Sequence, residues 1–387
     1  MNPNSAQKSD PSVRERAVAF WQRVTDGRKL DELWGQFKSE AVAGYGLYSS
    51  DVDWKSIEQE KSKFKRILRS AWALFQAMLM KLSPARRILL LVAVILFVFH
   101  PDMRSGKGEI DLDFTWLAAT ILFVLLALEL GDRVTMKRDL EIAREIQQWL
   151  VPSEPPQIPG VDIAFATRPQ NTVAGDYYDA FLRPLFSAES KPSLLLVVAD
   201  VAGKSVPAAL LMATFQSGLR ALSATPASLD EIVTGLDRYA RAHSLEGRRF
   251  TTAFLAELDP ETRIIRYVNA GHNDPILRRA SGQIERLSTG GPPFGLPLFT
   301  DSEVAYPSAT VQLQPGDILF IFTDGVAEAV NEKGEEFGES RIVPAITSQS
   351  NATAASVLNR VMADVNAFVG YARQHDDITA LVLRVLP

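Results

Sequence analysis

The stretch LLLVVADVAGK, residues 194–204, decides the fold of the second half of this 387-residue chain. It begins with six consecutive apolar residues, a run typical of a strand that is buried on both faces. Asp200 follows at the end of this run, and Gly203 then marks a turn before a helical pattern at 206–222. The stretch therefore predicts a carboxylate that is held at the edge of a rigid sheet.

Further strands and helices alternate on both sides of this stretch. Runs of branched and aromatic residues predict strands, and apolar residues at intervals of three and four predict helices. The turn Asp-Pro-Glu-Thr at 259–262 joins two of the strands as a hairpin. The pattern predicts an α+β domain at 153–387, with antiparallel sheets and helices outside them. The predicted strands are 161–167, 193–201, 252–258, 264–268, 318–323 and 378–385, and the predicted helices are 206–222, 229–242 and 354–368.

Four aspartates, Asp176, Asp200, Asp324 and Asp376, stand at strand ends or in adjacent turns. Taken singly, each fits an ordinary turn residue, because aspartate caps turns by accepting a bond from nearby backbone. If the fold brings them together, their charges repel unless a cation lies between them. Oxygen ligands favour magnesium, manganese or calcium, and the absence of cysteine excludes thiolate sites and cysteine nucleophiles.

Six motifs in order resemble the metal-dependent PPM-type serine/threonine phosphatases, specifically their bacterial SpoIIE-like and RsbU-like branch. The resemblance covers residues 145–386 and implies an α-β-β-α sandwich of two antiparallel sheets flanked by helices. It also implies two manganese or magnesium ions at one end of the sandwich. The motifs are Glu145-Ile146-Gln147 through Leu150-Val151-Pro152, Gly175-Asp176-Tyr177-Tyr178-Asp179, Asp200-Val201-Ala202-Gly203-Lys204, Ala270-Gly271-His272-Asn273, Phe322-Thr323-Asp324-Gly325 and Asp376-Asp377-Ile378-Thr379.

The resemblance assigns roles to the acidic residues one at a time. It implies that Asp176 and Asp200 touch the central pair of metals and that the backbone carbonyl of Val201 adds an oxygen. Asp324 and Asp376 would be ligands to one metal, and Asp377 is the weaker choice of its pair. These residues would act in catalysis by holding the metals, which would activate a water molecule.

The activity that the resemblance implies is hydrolysis of phosphoserine or phosphothreonine in a partner regulatory protein, in bacterial signal transduction. An anti-sigma-factor antagonist is the partner that this branch suggests. The alternative is a non-catalytic membrane-bound scaffold that keeps the fold without the chemistry. A nucleic-acid partner is not expected, because the net charge of −5 provides no basic field along the chain.

The sequence departs from the family pattern at two places. The usual double glycine is Ala174-Gly175, and the usual Gly-Lys-Gly is Gly203-Lys204-Ser205, although neither change removes a ligand. Ala174 would be restricted if its position required a positive φ. His272 is interpreted as a turn histidine, with a place near the site as the alternative. Asp179 fits either a residue that supports the ligands or one that bonds the backbone.

Residues 83–131 predict a hairpin of two membrane-spanning helices, with apolar stretches at 88–99 and 114–128. Each stretch is shorter than the roughly 20 residues that a span needs, and buried core helices are the alternative. Basic residues are more numerous outside the hairpin than in its loop, which places the N-terminus and the catalytic domain in the cytoplasm, at the inner membrane. These residues are Lys81, Arg86, Arg87, Arg133, Lys137 and Arg138, against Arg104 and Lys107 in the loop.

The segments on either side of the hairpin are helical in pattern. Residues 1–82 form a region of unknown role, in which 64–81 is amphipathic and basic and fits either the lipid interface or packing on protein. In the linker at 132–152, Met136, Leu140, Ala143 and Leu150 form an apolar stripe. This stripe fits a parallel coiled coil in a homodimer, or a single helix docked on its own domain. Prolines after residue 151 end the helix.

Overall fold

The computed structural model describes residues 62–99, 114–184, 192–243, 249–296, 305–347 and 353–387, with isolated residues between 21 and 57. The chain divides into two compact units, Met1–Arg133 and Val134–Pro387. The predicted loop between the two apolar stretches and most of the N-terminal region lie outside the described residues.

The first unit contains the helices α1 (Lys63–Lys81) and α2 (Pro84–Phe99) and the first half of α3 (Phe114–Leu150). In the part of the chain that is described, α3 is the one helix that is long and apolar enough to cross a membrane. The α2 helix has 16 residues, so the two-span hairpin remains a prediction. Arg86 of α2 forms ion pairs with Glu129 of α3 at 3.4 Å and with Asp132 of α3 at 2.6 Å.

The second unit contains two sheets. The first sheet has the spatial order β1 (Val161–Arg168), β11 (Ile378–Val385), β10 (Ile318–Phe322), β6 (Ile276–Arg278) and β7 (Ile284–Arg286). The second sheet has the order β2 (Tyr177–Leu182), β3 (Leu194–Val201), β4 (Thr251–Asp259), β5 (Ile264–Ala270) and β8 (Gly290–Gly291), and β9 (Ala309–Gln312) also pairs with β5. Every pairing is antiparallel among the described strands except that of β5 with β8.

Helices cover the outer face of each sheet. The helices α4 (Ser205–Ser223) and α5 (Leu229–Ala242) pack on the second sheet, and α7 (Glu339–Thr347) and α8 (Ala354–Val369) pack on the first. A third apolar cluster, which includes Leu196, Phe254 and Leu381, fills the space between the sheets. Burial of these three layers supplies the main driving force for folding. The predicted α-β-β-α sandwich of the catalytic domain is confirmed.

The predicted elements agree with the structure to within one or two residues. The strand at 378–385 has the predicted bounds, and α8 extends the predicted helix by one residue. The sequence did not reveal β2 or the strands β6 to β9, and the last four have only two to four residues, which are too few to display an alternation. It also missed α7, which contains Pro344, a residue that usually marks the end of a helix.

Candidate metal centre

Strand pairing places the four predicted aspartates in two pairs. Asp176 comes directly before β2 and Asp200 lies near the end of β3, and the register Tyr177↔Ala199 sets these two carboxylates opposite each other. Asp324 follows β10 as the first residue of a one-turn helix, α6 (Asp324–Ala327), and Asp376 precedes β11. Because β10 and β11 are antiparallel neighbours, the second pair also lies at one sheet end.

Two hydrogen bonds between the sheets bring the pairs together. The Thr323 hydroxyl, next to Asp324, donates to Asp176 Oδ2 at 2.9 Å. The Gly175 amide donates to Asp377 Oδ2 at 2.6 Å. The first bond links Thr323, the neighbour of Asp324, to Asp176. The second links Gly175, the neighbour of Asp176, to Asp377, the neighbour of Asp376. The acidic cluster therefore draws on four separate segments of the chain.

The carboxylates are close enough to perturb one another. Burial and then the charge of Asp200 raise the pKa of Asp176 well above its usual range. Burial, followed by the charges of Asp324 and Asp376, raises the pKa of Asp200 to about 7. Burial and then the charge of Asp376 also raise the pKa of Asp324. Partly buried negative charge is thus concentrated at one end of the sandwich, where a cation would be favoured.

The adjacent residues Asp376 and Asp377 have different surroundings. Asp377 is buried and accepts backbone N–H bonds from Gln170 and Gly175, both at 2.6 Å. Asp376 is 43% exposed and forms an ion pair with Lys204 Nζ at 3.2 Å. Backbone amides therefore occupy both Asp377 oxygens, whereas Asp376 faces charged groups. This difference is consistent with Asp376 as the candidate ligand and Asp377 as a residue that holds the loops.

Two glycines allow the segments to approach closely. A Cβ on Gly175 would lie 3.2 Å from the carbonyl oxygen of Val201, the predicted backbone ligand at the end of β3. A Cβ on Gly325 would lie 1.9 Å from the carbonyl oxygen of Asp377, a distance that no side chain can occupy. Gly325 is therefore required for the contact between the segments that carry Asp324 and Asp376.

The donor set fits a hard divalent cation in its chemistry. All four candidate side chains are carboxylates, and their mutual repulsion would be relieved by positive charge. Among the described residues, however, no three acidic or histidine side chains are already gathered into a group that could hold an ion. The strand register and the two hydrogen bonds between the sheets place the aspartates near one another, which is a weaker condition than a formed ligand shell. Filling the site would require the carboxylates to draw closer.

Asp179 and His272 lie outside this cluster and have structural partners. Asp179 is fully buried and accepts bonds from the Tyr177 hydroxyl at 2.5 Å, the Ala180 amide at 2.8 Å and Arg220 Nε at 2.9 Å, which ties β2 to α4. His272 Nδ1 lies 3.0 Å from the Thr252 hydroxyl, and burial lowers the pKa of this histidine to about 4. It is therefore neutral at pH 7, in agreement with its interpretation as a turn histidine.

Several positioning residues received no role from the sequence. Thr323, Lys204 and Gln147 all fall inside the quoted motifs, but a motif does not show where its side chains point. Gln147 of α3 accepts a bond from the Ala174 amide at 2.9 Å and donates to the Ala174 carbonyl at 2.7 Å. The linker helix is thus bonded to the backbone two residues before Asp176.

The departures from the family pattern have different structural consequences. Ala174 does not adopt a positive φ, so its methyl group imposes no backbone strain. Ser205 has a φ of 63°, in the left-handed region that favours glycine, at the position where the family pattern has glycine.

We expect Ser205→Gly to raise the free energy of unfolding by up to about 1 kcal/mol, because glycine removes the left-handed strain. Thermal unfolding of the two purified proteins measures this change. The matched control is Ser223→Gly at the last position of α4, which has no such strain to relieve. A Ser205→Gly protein that melts below the parent chain would contradict the expectation.

Comparisons with known proteins identify the family of this chain. The family model described as Stage II sporulation protein E (SpoIIE) matches residues 190–386, just over half of the chain. The chain belongs to the SpoIIE family. The matched region contains Asp200, Asp324 and Asp376 but begins after Asp176. The predicted family resemblance is therefore confirmed.

Individual relatives extend the likeness beyond the matched region. Protein IcfG of Synechocystis sp. is 27% identical over 285 residues, which are 67% of this chain and 43% of IcfG. Phosphoserine phosphatase RsbU of Bacillus subtilis is 26% identical over 254 residues, 66% of this chain and 72% of RsbU. The chain thus matches less than half the length of IcfG. The SiaA PP2C domain of Pseudomonas aeruginosa, at 22% identity and a TM-score of 0.56, covers 65% of this chain and 98% of that domain and has the same fold.

Proposed function

We propose that the Val134–Pro387 unit is a metal-dependent protein serine/threonine phosphatase that acts on a phosphorylated regulatory protein. The observation that carries this proposal is the placement of Asp176, Asp200, Asp324 and Asp376, from four segments and both sheets, at one end of the sandwich by strand pairing and by the Thr323–Asp176 and Gly175–Asp377 hydrogen bonds. Membership of the SpoIIE family and the similarity to RsbU, which is named a phosphoserine phosphatase, support the same activity.

In this proposal, the four aspartates and the Val201 carbonyl would hold two manganese or magnesium ions. Such ions, when bound, lower the pKa of a water molecule and neutralise phosphoryl oxygens. The residues around them would set the geometry. Thr323 orients Asp176, and Asp377 fixes the loops through Gln170 and Gly175. The protein would therefore contribute to catalysis by positioning charged groups, and no side chain would act as a covalent nucleophile.

A cavity of about 220 Å³ lies beside Asp376. Arg168 and Lys204 bring positive charge to its wall, and Glu328 and Asp376 bring negative charge. We infer that the phosphoryl group binds in this cavity, where Arg168 and Lys204 would attract it.

The test of the proposed function is metal-dependent hydrolysis of a phosphoserine peptide by the purified full-length protein. We expect turnover with manganese or magnesium and at least about a hundredfold loss after treatment with a chelator, restored by adding metal back. Calorimetric titration with manganese is the independent measurement. Absence of binding together with absence of turnover would favour the alternative, a non-catalytic scaffold.

We further propose that the protein is anchored in the inner membrane by α2 and α3, with its N-terminus and the phosphatase unit in the cytoplasm. The apolar composition of both helices and the Arg86 ion pairs support a hairpin of two spans. The phosphoprotein partner would then be a soluble regulator, and an anti-sigma-factor antagonist remains the partner suggested by the resemblance to the SpoIIE-like branch.

The linker helix is proposed to transmit a signal and to pair with a second copy of the chain. Of the predicted apolar stripe, Met136 is exposed, as a surface for a homodimeric coiled coil requires, whereas Leu140, Ala143 and Leu150 are half-buried. The two hydrogen bonds from Gln147 to Ala174 connect the same helix to the Asp176 segment. A rotation of the helix would therefore move a candidate ligand.

We expect Gln147→Ala to raise the metal concentration for half-maximal activity severalfold, because the loss of two hydrogen bonds loosens the segment before Asp176. Activity of the full-length protein at increasing manganese concentration measures the change. The exposed neighbour Gln148 provides the matched control, and Gln148→Ala should leave the metal dependence unchanged. Identical titration curves for both variants would contradict this role of the linker.

A further inference from the structure

The helix α1 combines strong positive charge with a wide apolar face. It contains five basic residues and no acidic residue within Lys63–Lys81. None of its 19 residues, all of which are described, is buried. Large apolar side chains recur at intervals of three and four residues and therefore share one face of the helix. They are Phe64, Ile67, Leu68, Ala71, Trp72, Phe75, Met78 and Leu79.

The protein contacts of α1 lie on its opposite face. Arg69, Ala73, Ala77 and Met80 line a cleft together with Val52, Asp53 and Ile57. The apolar face points away from this cleft, and Phe64 and Ile67 are 75% and 68% exposed. The helix therefore presents its small and basic side to protein and leaves its aromatic side in contact with solvent. An exposed apolar surface of this size usually marks an interaction site.

We propose that α1 lies flat in the headgroup region of an anionic membrane. Its apolar face would reach about 5–10 Å into the boundary between headgroups and acyl chains. Lys63 and Lys65 flank the two edges of this face, where long side chains can extend to lipid phosphates. Charge complementarity favours an anionic surface, since the helix has no carboxylate with which to attract a basic protein partner.

The position of α1 in the chain also supports binding to a membrane surface. Only Leu82 and Ser83 separate it from α2, which is the first of the proposed membrane spans. Arg86 and Arg87 at the start of α2 continue the basic charge toward the expected lipid surface. The inference goes beyond the proposed spans, because a hairpin of two helices does not require the preceding helix to bind lipid.

The absence of cysteine from the chain provides a direct test, because a single introduced cysteine is then a unique labelling site. Full-length Leu68→Cys and Ser70→Cys proteins would carry a nitroxide spin label in nanodiscs of phosphatidylcholine, with and without phosphatidylglycerol. Accessibility to oxygen reports lipid, and accessibility to a water-soluble nickel complex reports water. A Leu122→Cys variant in α3 tests the proposed span separately.

We expect the label at residue 68 to be accessible to oxygen and protected from nickel, severalfold more so than the label at residue 70. Phosphatidylglycerol should increase this difference, and Lys63→Gln with Lys65→Gln should cancel the increase. The inference would be overturned if the label at residue 68 were as accessible to the nickel complex as the label at residue 70. It would also be overturned if protein shielded the label at residue 68 from both reagents. If residue 122 still reported lipid, membrane anchoring would stand while lipid binding by α1 failed.

Discussion

Asp200→Asn is expected to lower hydrolysis of a phosphoserine peptide by at least about a thousandfold while making the metal-free protein more stable. The loss of activity follows because the amide removes a negative ligand from the centre of the acidic cluster, and the uncatalysed reaction is extremely slow. The gain in stability follows because burial, and then the charges of Asp324 and Asp376, disfavour an ionised Asp200, whereas a neutral amide avoids both penalties.

The stability effect has a defined dependence on pH. A carboxyl with a pKa of about 7 in the folded protein and an ordinary pKa near 4 in the unfolded chain stabilises the fold at low pH. This contribution is lost as the pH rises from about 4 through 7. Above pH 7 we therefore expect metal-free Asp200→Asn to exceed the parent chain by on the order of 2 kcal/mol in free energy of unfolding.

Denaturant unfolding in the presence of a chelator and peptide hydrolysis in the presence of manganese measure the two effects. Asp364 of α8, which pairs with Arg360 on the helix surface, provides the matched control. Asp364→Asn should change neither quantity by more than a small factor. An active Asp200→Asn protein would refute the proposed catalytic centre, whereas an inactive but destabilised one would refute the charge repulsion described for the cluster.

Gly325→Ala is expected to reduce turnover by about a hundredfold and the free energy of unfolding by about 1–3 kcal/mol. The new methyl group would lie 1.9 Å from the Asp377 carbonyl oxygen, which is backbone and cannot rotate away. The two segments must separate, and this displaces Asp324 from Asp376. Displacements of about 1 Å at a reacting centre can cost a hundredfold in rate.

Gly218 in α4 is the matched control for this substitution. A Cβ on Gly218 would meet only Leu236 Cδ2 at 3.5 Å, an ordinary van der Waals contact. Gly218→Ala should stabilise the helix by up to about 1 kcal/mol and leave turnover unchanged. Hydrolysis rates and denaturant unfolding of both variants provide the comparison. Equal turnover in Gly325→Ala and the parent chain would show that the close contact does not position the candidate ligands.

The sequence predicted those parts of the fold whose signals are local. The buried run at 194–199 and the alternating helices around it fixed the layers of the sandwich, because hydrophobic burial depends on patterns within one element. The four aspartates were also found, three of them because each lies at or beside a predicted strand end and Asp176 through its motif. Their convergence rested on the resemblance, because no local pattern relates residues as far apart in the chain as Asp176 and Asp324.

Features that depend on contacts between distant segments could not be predicted. The bonds of Asp377 to Gln170 and Gly175 cross more than 200 residues of sequence, and nothing in the Asp376-Asp377 pair indicates which side chain turns inward. The hydrogen bonds between Gln147 and Ala174 could not be predicted from the sequence either, since a glutamine on a helix surface is usually solvated. The strain at Ser205 was missed because a serine in the sequence does not indicate a left-handed backbone conformation.

The pairing of β1 with β11 also affects how fast the catalytic unit can form. Val161 is paired with Val385, so the first and last strands of the sandwich lie side by side. Closure of so long a loop imposes a high contact order, which slows folding. Since β11 directly follows Asp376 and Asp377, we expect the acidic cluster to be completed late, together with this closing step. Recovery of metal binding during refolding should therefore follow the slowest structural phase.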